Sequence, residues 1–208
     1  MLTALVDYDS GNLHSAHKAF QRMAAETGAG EVVVTSEADI VARADRIVLP
    51  GDGAFAACKR QLAERTGLFE AIEDAVKNRS VPFLGICVGM QMMATLSREY
   101  QDTRGFDWIS GEVVKIAPTG PALKVPHMGW NGLNIRRAHP VLQGLGEDPH
   151  VYFTHSYSFR ADDEASVLAT TDYGEPLVAA IGRDNLVATQ FHPEKSQRVG
   201  LRLLSNFL

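Results

Sequence analysis

The chain of 208 residues is 45% hydrophobic and carries a formal net charge of −5, which fits one domain with a sizeable core and argues against general nucleic-acid binding. No run of about 18 apolar residues predicts a membrane span, and Met1 to Asp7 lacks the basic and long apolar regions of a secretion signal. Two cysteines in unlike contexts, Cys58 and Cys87, build neither a disulfide framework nor a zinc site, so a cytoplasmic protein without metal or cofactor is expected.

Taken in order, Leu2 to Asp7 reads as a first strand, followed by turn residues Tyr8 to Asn12 and a helical pattern from Leu13 to about Ala25. Val32 to Val34 is a second strand, and Ser36 is a candidate cap for a short helix through Ile40. A third strand, Ile47 to Leu49, runs into Pro50-Gly51-Asp52-Gly53. Helical patterning then spans Ala54 to Lys77 with a break near Gly67. The apolar run Pro82 to Ile86 is a fourth strand, and Met90 to Leu96 has helical texture. Strands alternating with helices predict a parallel sheet covered on both faces, with ligands at the carboxyl ends of its strands. Beyond about Gln101 short strands dominate: Glu112 to Ile116, Gly132 to Ile135, Val151 to Phe153 and Val167 to Thr171. A hairpin is expected at Leu177 to Phe191, turning at Arg183 to Asn185, and a last helix runs from Ser196 to near Leu208. The fold class that follows is a single α/β domain over residues 1–208: a largely parallel or mixed sheet flanked by helices, with a small additional antiparallel sheet.

The chemistry concentrates at Gly85-Ile86-Cys87-Val88-Gly89. Strand, Gly-flanked turn and helix form the context of a nucleophile elbow, here with cysteine. The glycines permit strained dihedrals and close approach of a substrate. A thiol at a helix N-terminus is biased toward the reactive thiolate. The competing reading is a buried core cysteine beside a turn. Cys58, within a helical pattern and without flanking glycines, reads as structural. A cysteine nucleophile needs a base and a group that orients the base. His192-Pro193-Glu194 offers both, if an extended backbone points the two side chains the same way. Alone, that tripeptide equally describes a helix entry.

Cys87 in its elbow, the late His192-Pro193-Glu194 and the early Pro50-Gly51-x-Gly53 together resemble the class I glutamine amidotransferase family over nearly the whole chain. Lys124-Val125-Pro126-His127-Met128-Gly129-Trp130-Asn131, Tyr152-Phe153-x-His155-Ser156-Tyr157, His192 to Ser196 and Asp7-Tyr8 with Gly11-Asn12-Leu13 resemble, within that family, the glutaminase subunits of imidazole glycerol phosphate synthases. The resemblance implies hydrolysis of glutamine to glutamate and ammonia, with ammonia passed to a (β/α)8-barrel cyclase subunit in histidine biosynthesis. It implies a triad of Cys87, His192 and Glu194, and oxyanion donors from the backbone of Val88 and of Gly51, Asp52 and Gly53. Gln91, Glu99, Ser156 and Tyr157 are implied to hold substrate. Asn12, Pro126, Met128, Trp130, Tyr152 and Lys195 are implied to face the cyclase. Read from the residues alone, Glu99 is a solvated helix end and Trp130 an ordinary core tryptophan. Asp52 and Val88 stand where the family usually has an aliphatic residue and leucine. Beside an oxyanion the Asp52 carboxylate would oppose the developing charge, so its side chain is expected to point to solvent or partner. Three other readings are a glutaminase of the same fold serving a different synthase, against which the Lys124 to Asn131 block argues, a fold-retaining subunit without catalysis, and a cysteine peptidase of similar fold.

Overall fold

The computed structural model describes residues 1–10, 13–120 and 122–208. The first half alternates β1 (Leu2–Val6), α1 (Leu13–Thr27), β2 (Glu31–Thr35), α2 (Ala38–Ala42), β3 (Arg46–Gly51), α3 (Phe55–Glu64), α4 (Leu68–Lys77), β4 (Phe83–Cys87) and a single turn, α5 (Val88–Gln91). Short strands follow: β5 (Leu96–Ser97), β6 (Thr103–Arg104), β7 (Gly111–Lys115), β8 (His127–Gly132) and β9 (Asn134–Ile135). Then come β10 (His150–His155), β11 (Tyr157–Ala161), β12 (Val167–Asp172), β13 (Pro176–Arg183), β14 (Leu186–Thr189) and α6 (Gln197–Phe207).

The main sheet has eight strands in the order β2-β1-β3-β4-β14-β13-β12-β9. β2, β1, β3, β4 and β14 run parallel, and β13, β12 and β9 continue it antiparallel. The parallel strands are runs of Val, Leu, Ile and Phe rather than alternating patterns, because helices cover both faces. Leu5, Ile47, Leu49, Phe83 and Leu84 are fully buried. The helices place apolar residues at helical spacing: Leu68, Ile72, Ala75 and Val76 are buried on α4, and Ala16, Phe20 and Met23 on α1. Gly67, at φ 73°, separates α3 from α4 at the expected break. A four-stranded sheet, β11-β7-β5-β6, and a two-stranded ribbon, β10-β8, complete the fold. The additional sheet is therefore split in two, and its β5–β7 pair is parallel.

Three local expectations are corrected. The short second helix opens after Glu37 without a side-chain cap, so Ser36 does not cap it. The helix after Cys87 ends at Gln91 rather than running to Leu96. The carbonyls of Met92, Met93, Ala94 and Thr95 accept instead from backbone N–H groups of Gly105 to Ile109, which diverts the chain into β5. Finally, Gly132 to Ile135 is not one strand. β8 stops at Gly132, held by the Thr171 hydroxyl on its carbonyl, and β9 joins another sheet.

The junction of β3, β4 and α5 is packed through glycine. A methyl group on Gly89 would lie 1.9 Å from the Leu49 carbonyl oxygen, and one on Gly51 would lie 2.7 Å from the Gly89 nitrogen. Gly89→Ala should therefore destabilise the protein by about 3 kcal/mol, the upper range for forced overpacking. At Gly132 the nearest atom to such a methyl is 3.8 Å away, so Gly132→Ala should stay within about 0.5 kcal/mol. Urea denaturation of both variants checks the contrast; equal stabilities would contradict this packing.

Candidate active site

β3, β4 and β14 are adjacent and parallel, so their carboxyl ends meet at one edge of the sheet. β3 ends at Gly51, paired in register with Cys87 at the end of β4. β14 ends at Thr189, three residues before His192. Cys87 adopts φ 55° and ψ −111°, the strained conformation of a nucleophile elbow, at a cost of about 1–3 kcal/mol. The strain sits on the cysteine itself. Neither Gly85 nor Gly89 has positive φ, and a methyl on Gly85 would lie 2.8 Å from the Gly89 carbonyl oxygen. These glycines serve close backbone approach rather than unusual dihedrals. With α5 only one turn long, the helix-dipole contribution at Cys87 is smaller than a full helix would give. Val88 opens that turn, where N–H groups lack intrahelical acceptors.

His192 and Glu194 are brought together by a 3-10 turn, Pro193–Lys195, not by an extended segment. Nδ1 of His192 lies 2.8 Å from Oε1 of Glu194, and both side chains are 6% exposed. Among the described residues, Nε2 of His192 is buried without a hydrogen-bond partner. Burial opposes the imidazolium, but Cys87 and Glu194 outweigh it and push His192 up to about 10. A thiol, an imidazole and a carboxylate are thus the groups that nucleophilic catalysis by cysteine requires. Ser196, read in the sequence as the end of the His192 to Ser196 block and a helix start, ties this segment down: its hydroxyl donates to the His192 carbonyl at 2.6 Å and accepts from the Tyr152 N–H at 3.0 Å.

Cys87 opens onto a cavity of about 240 Å³, lined also by Asp52, Gly53, Val88, Gln91, Glu99, Pro126, Thr154, His155, Ser156 and Tyr157. Gly51 borders a neighbouring crevice with His192, Glu194 and Lys195. Glu99 is buried in a bend beyond β5, not on a helix end, and one of its oxygens accepts the Phe55 N–H at 2.6 Å. It thus caps α3, leaving the other oxygen for the cavity. Gln190, given no role in the sequence reading, is fully buried; its amide nitrogen donates to the Cys87 sulfur at 3.6 Å, and its amide oxygen accepts from the Gln91 amide at 3.0 Å.

Asp52 is exposed and lines a third, open cavity with Trp130, Tyr152, Thr154 and Lys195. Trp130 is 48% exposed and Met128 62%, so Trp130 is not a core residue. Pro126 is exposed as well, and Trp130 meets Tyr152 edge-on at 6.0 Å. Asn12 lies outside the described residues.

The sequence model of the glutamine amidotransferase class-I family matches residues 4–208. A relative in Cereibacter sphaeroides named imidazole glycerol phosphate synthase subunit HisH is 64% identical over 208 residues, spanning 100% of this chain and 98% of its own. The relative of the same name in Ruegeria pomeroyi is 62% identical over the same spans. A solved structure titled glutamine amidotransferase superimposes with a TM-score of 0.71 at 20% identity, covering 95% of this chain and 94% of its own. At that identity the likeness concerns the fold alone.

Burial pushes the Cys58 thiol up to about 11, so at neutral pH it stays protonated, and its Sγ lies 3.4 Å from the Asp52 carbonyl oxygen. A small thiol-alkylating reagent at pH 7.5 should therefore modify Cys87 and leave Cys58 intact in the native protein, as read by peptide mass spectrometry. Labelling of Cys58 with Cys87 untouched would remove Cys87 as the nucleophile.

Proposed function

The chain belongs to the class-I glutamine amidotransferase family, and on that premise we propose that it is the glutaminase subunit of an imidazole glycerol phosphate synthase. Residues 1–208 act as one domain, in the cytoplasm, with a (β/α)8-barrel cyclase as partner. The observation that carries this reading is the Cys87–His192–Glu194 set at the mouth of a polar cavity, in a chain alike over its full length to relatives named HisH.

In this reading Cys87 attacks the side-chain carbonyl of glutamine. His192 takes the thiol proton and delivers it to the leaving ammonia, and Glu194 holds the ring with Nδ1–H toward itself. Backbone N–H groups of Val88 and of the Gly51–Gly53 segment receive the oxyanion, a contribution of about 3–4 kcal/mol per donor in a well-studied protease. Water then hydrolyses the glutamyl thioester. Glu99, with one carboxylate oxygen left over from its bond to Phe55, suits the substrate ammonium, as does the oxygen of Gln91; backbone at Ser156 and Tyr157 meets the carboxylate. Trp130, Tyr152, Met128, Pro126 and Lys195 face the cyclase, with Trp130, Tyr152 and Lys195 beside Asp52, and Asn12 belongs to the same interface.

The oxyanion segment also suits gating by the partner. The Pro50 carbonyl accepts the Tyr8 hydroxyl at 2.6 Å, and the Asp52 carbonyl faces the Cys58 thiol at 3.4 Å. With both neighbours held, the peptide between Gly51 and Asp52 is the one left to rotate. One orientation aims its carbonyl at the oxyanion site, the other its N–H, and only the second stabilises the transition state. Glutamine hydrolysis is expected to be slow for the chain alone, faster with cyclase, and fastest with cyclase and its nucleotide ligand. Equal rates in all three would dispose of the gate. Glu194→Gln should keep the fold and lower the stimulated turnover by roughly 10²- to 10⁴-fold, since the imidazolium loses its counter-charge. In calorimetry, Trp130→Ala should weaken cyclase binding by at least about 2 kcal/mol, as an aromatic anchor does; unchanged affinity would take Trp130 out of the interface core.

A further inference from the structure

Side chains alternate across a strand, so the β8–β10 ribbon has two faces. Its outer face shows Met128 and Trp130. On its inner face His127 and His155, which sit opposite each other in register, are both buried. Nδ1 of His127 lies 2.9 Å from Nε2 of His155, so one nitrogen donates and the other accepts.

The direction follows from Asn131. Its side-chain oxygen accepts the Gly132 N–H at 2.8 Å, and its amide nitrogen donates to the Asp172 carbonyl at 2.8 Å. The same nitrogen faces Nε2 of His127 at 3.3 Å, so that ring nitrogen accepts and carries no proton. The His127 proton is then on Nδ1 and is donated to Nε2 of His155. The His155 proton is in turn on Nδ1, 2.9 Å from the Tyr157 carbonyl oxygen. That carbonyl also accepts from the Gln91 amide at 3.0 Å, and the second amide hydrogen of Gln91 goes to Gln190 at 3.0 Å. Both donors of Gln91 are thus committed, which leaves its oxygen as the group it can offer inside the cavity.

We propose that His127 and His155 are positioning residues: a one-directional hydrogen-bond chain beginning at Asn131 fixes the Tyr157 carbonyl, and through it Gln91, in the orientation that grips glutamine. This rests on the glutaminase reading above. Packing alone does not require the chain. His127 stacks on Phe153 and Tyr173 with centroids 4.6 and 4.0 Å away, contacts that an apolar ring would make without burying two ring nitrogens. Burial lowers both rings to about 4, in keeping with two neutral imidazoles whose acceptor nitrogens each face a donor.

Two substitutions separate positioning from filling space, assayed in the complex with cyclase. The amide nitrogen of asparagine can take the place of Nδ1, so His155→Asn keeps the donor to Tyr157. Glutamine reaches instead to the place of Nε2, so His155→Gln keeps the acceptor for His127 and loses that donor. The KM for glutamine is expected to rise about tenfold in His155→Gln, with kcat changed less, and to rise by a smaller factor, about threefold, in His155→Asn, which keeps the last link of the chain but leaves His127 without its acceptor. Equal KM values in the two variants overturn the proposal while leaving the glutaminase reading intact. If the parent complex leaves glutamine unhydrolysed, that reading fails and the role at glutamine falls with it. Nitrogen-15 NMR of the unsubstituted chain needs no variant and no turnover: both rings should carry the proton on Nδ1, and a proton on Nε2 of either neutral ring breaks the chain.

Discussion

The site depends on a backbone contact. Cys87 can stay at φ 55°, ψ −111° only because the turn that follows it lies directly on β3 and β4. Glycine at 51, 85 and 89 makes that approach possible. A strained residue persists where its surroundings over-determine it, and here the surroundings are the main sheet itself. Ile86, Leu84 and Leu49 are buried around the elbow, so relaxing it would disturb the core. The same contact sets Gly51 opposite Cys87, so the Gly51–Gly53 segment lies beside the cysteine, with the Tyr8 hydroxyl on the Pro50 carbonyl and the Cys58 thiol on the Asp52 carbonyl.

Burial then shapes the titration of the groups around the elbow. It alone would strip the proton from His192, yet the ring is held up to about 10 by Cys87 and Glu194. The sign follows from linkage: a pKa raised in the folded state adds stability that is fully present below the ordinary histidine value and is lost as pH rises through about 10. For Cys58, burial prevails and the thiol stays protonated, which suits a donor to the Asp52 carbonyl and excludes a second nucleophile. The two cysteines thus differ in setting: Cys87 lines the cavity, while Cys58 is buried on α3.

Much of this was legible in the sequence. Apolar strand runs, the break at Gly67 and the hairpin between β13 and β14 are local signals, and the structure carries them where the residues predicted. The elbow was legible because its glycines flank the cysteine symmetrically. What was not legible depends on partners far along the chain. The helix after Cys87 looked longer because Met92, Met93 and Ala94 are good helix formers, while their carbonyls are taken by residues 105–109. Glu99 looked solvated because nothing nearby announces that it caps α3 from 44 residues away. His127 and His155 lack any metal-ligand spacing, and only the register of β8 on β10 reveals them as a pair. Ser196 and Gln190 were likewise hidden, since their partners Tyr152 and Cys87 are remote in sequence.

The two-stranded ribbon is the element in which these long-range contacts converge. Its outer face carries the exposed aromatic and methionine side chains, and its inner face carries the buried histidines. At Tyr152 it is bonded to the His192 segment in both directions: the His192 N–H donates to the Tyr152 carbonyl at 3.0 Å, and the Tyr152 N–H donates to Ser196. At His155 it is bonded to the backbone that lines the cavity. A two-stranded ribbon is only marginally stable by itself, so its position is set by these attachments and by whatever covers its outer face. A partner seated there would press on both the His192 segment and the cavity beside Cys87, through contacts already made in the free chain. Differential binding of about 5.5 kcal/mol suffices to invert a 1:99 equilibrium, a magnitude within reach of an interface anchored on one or two aromatic residues.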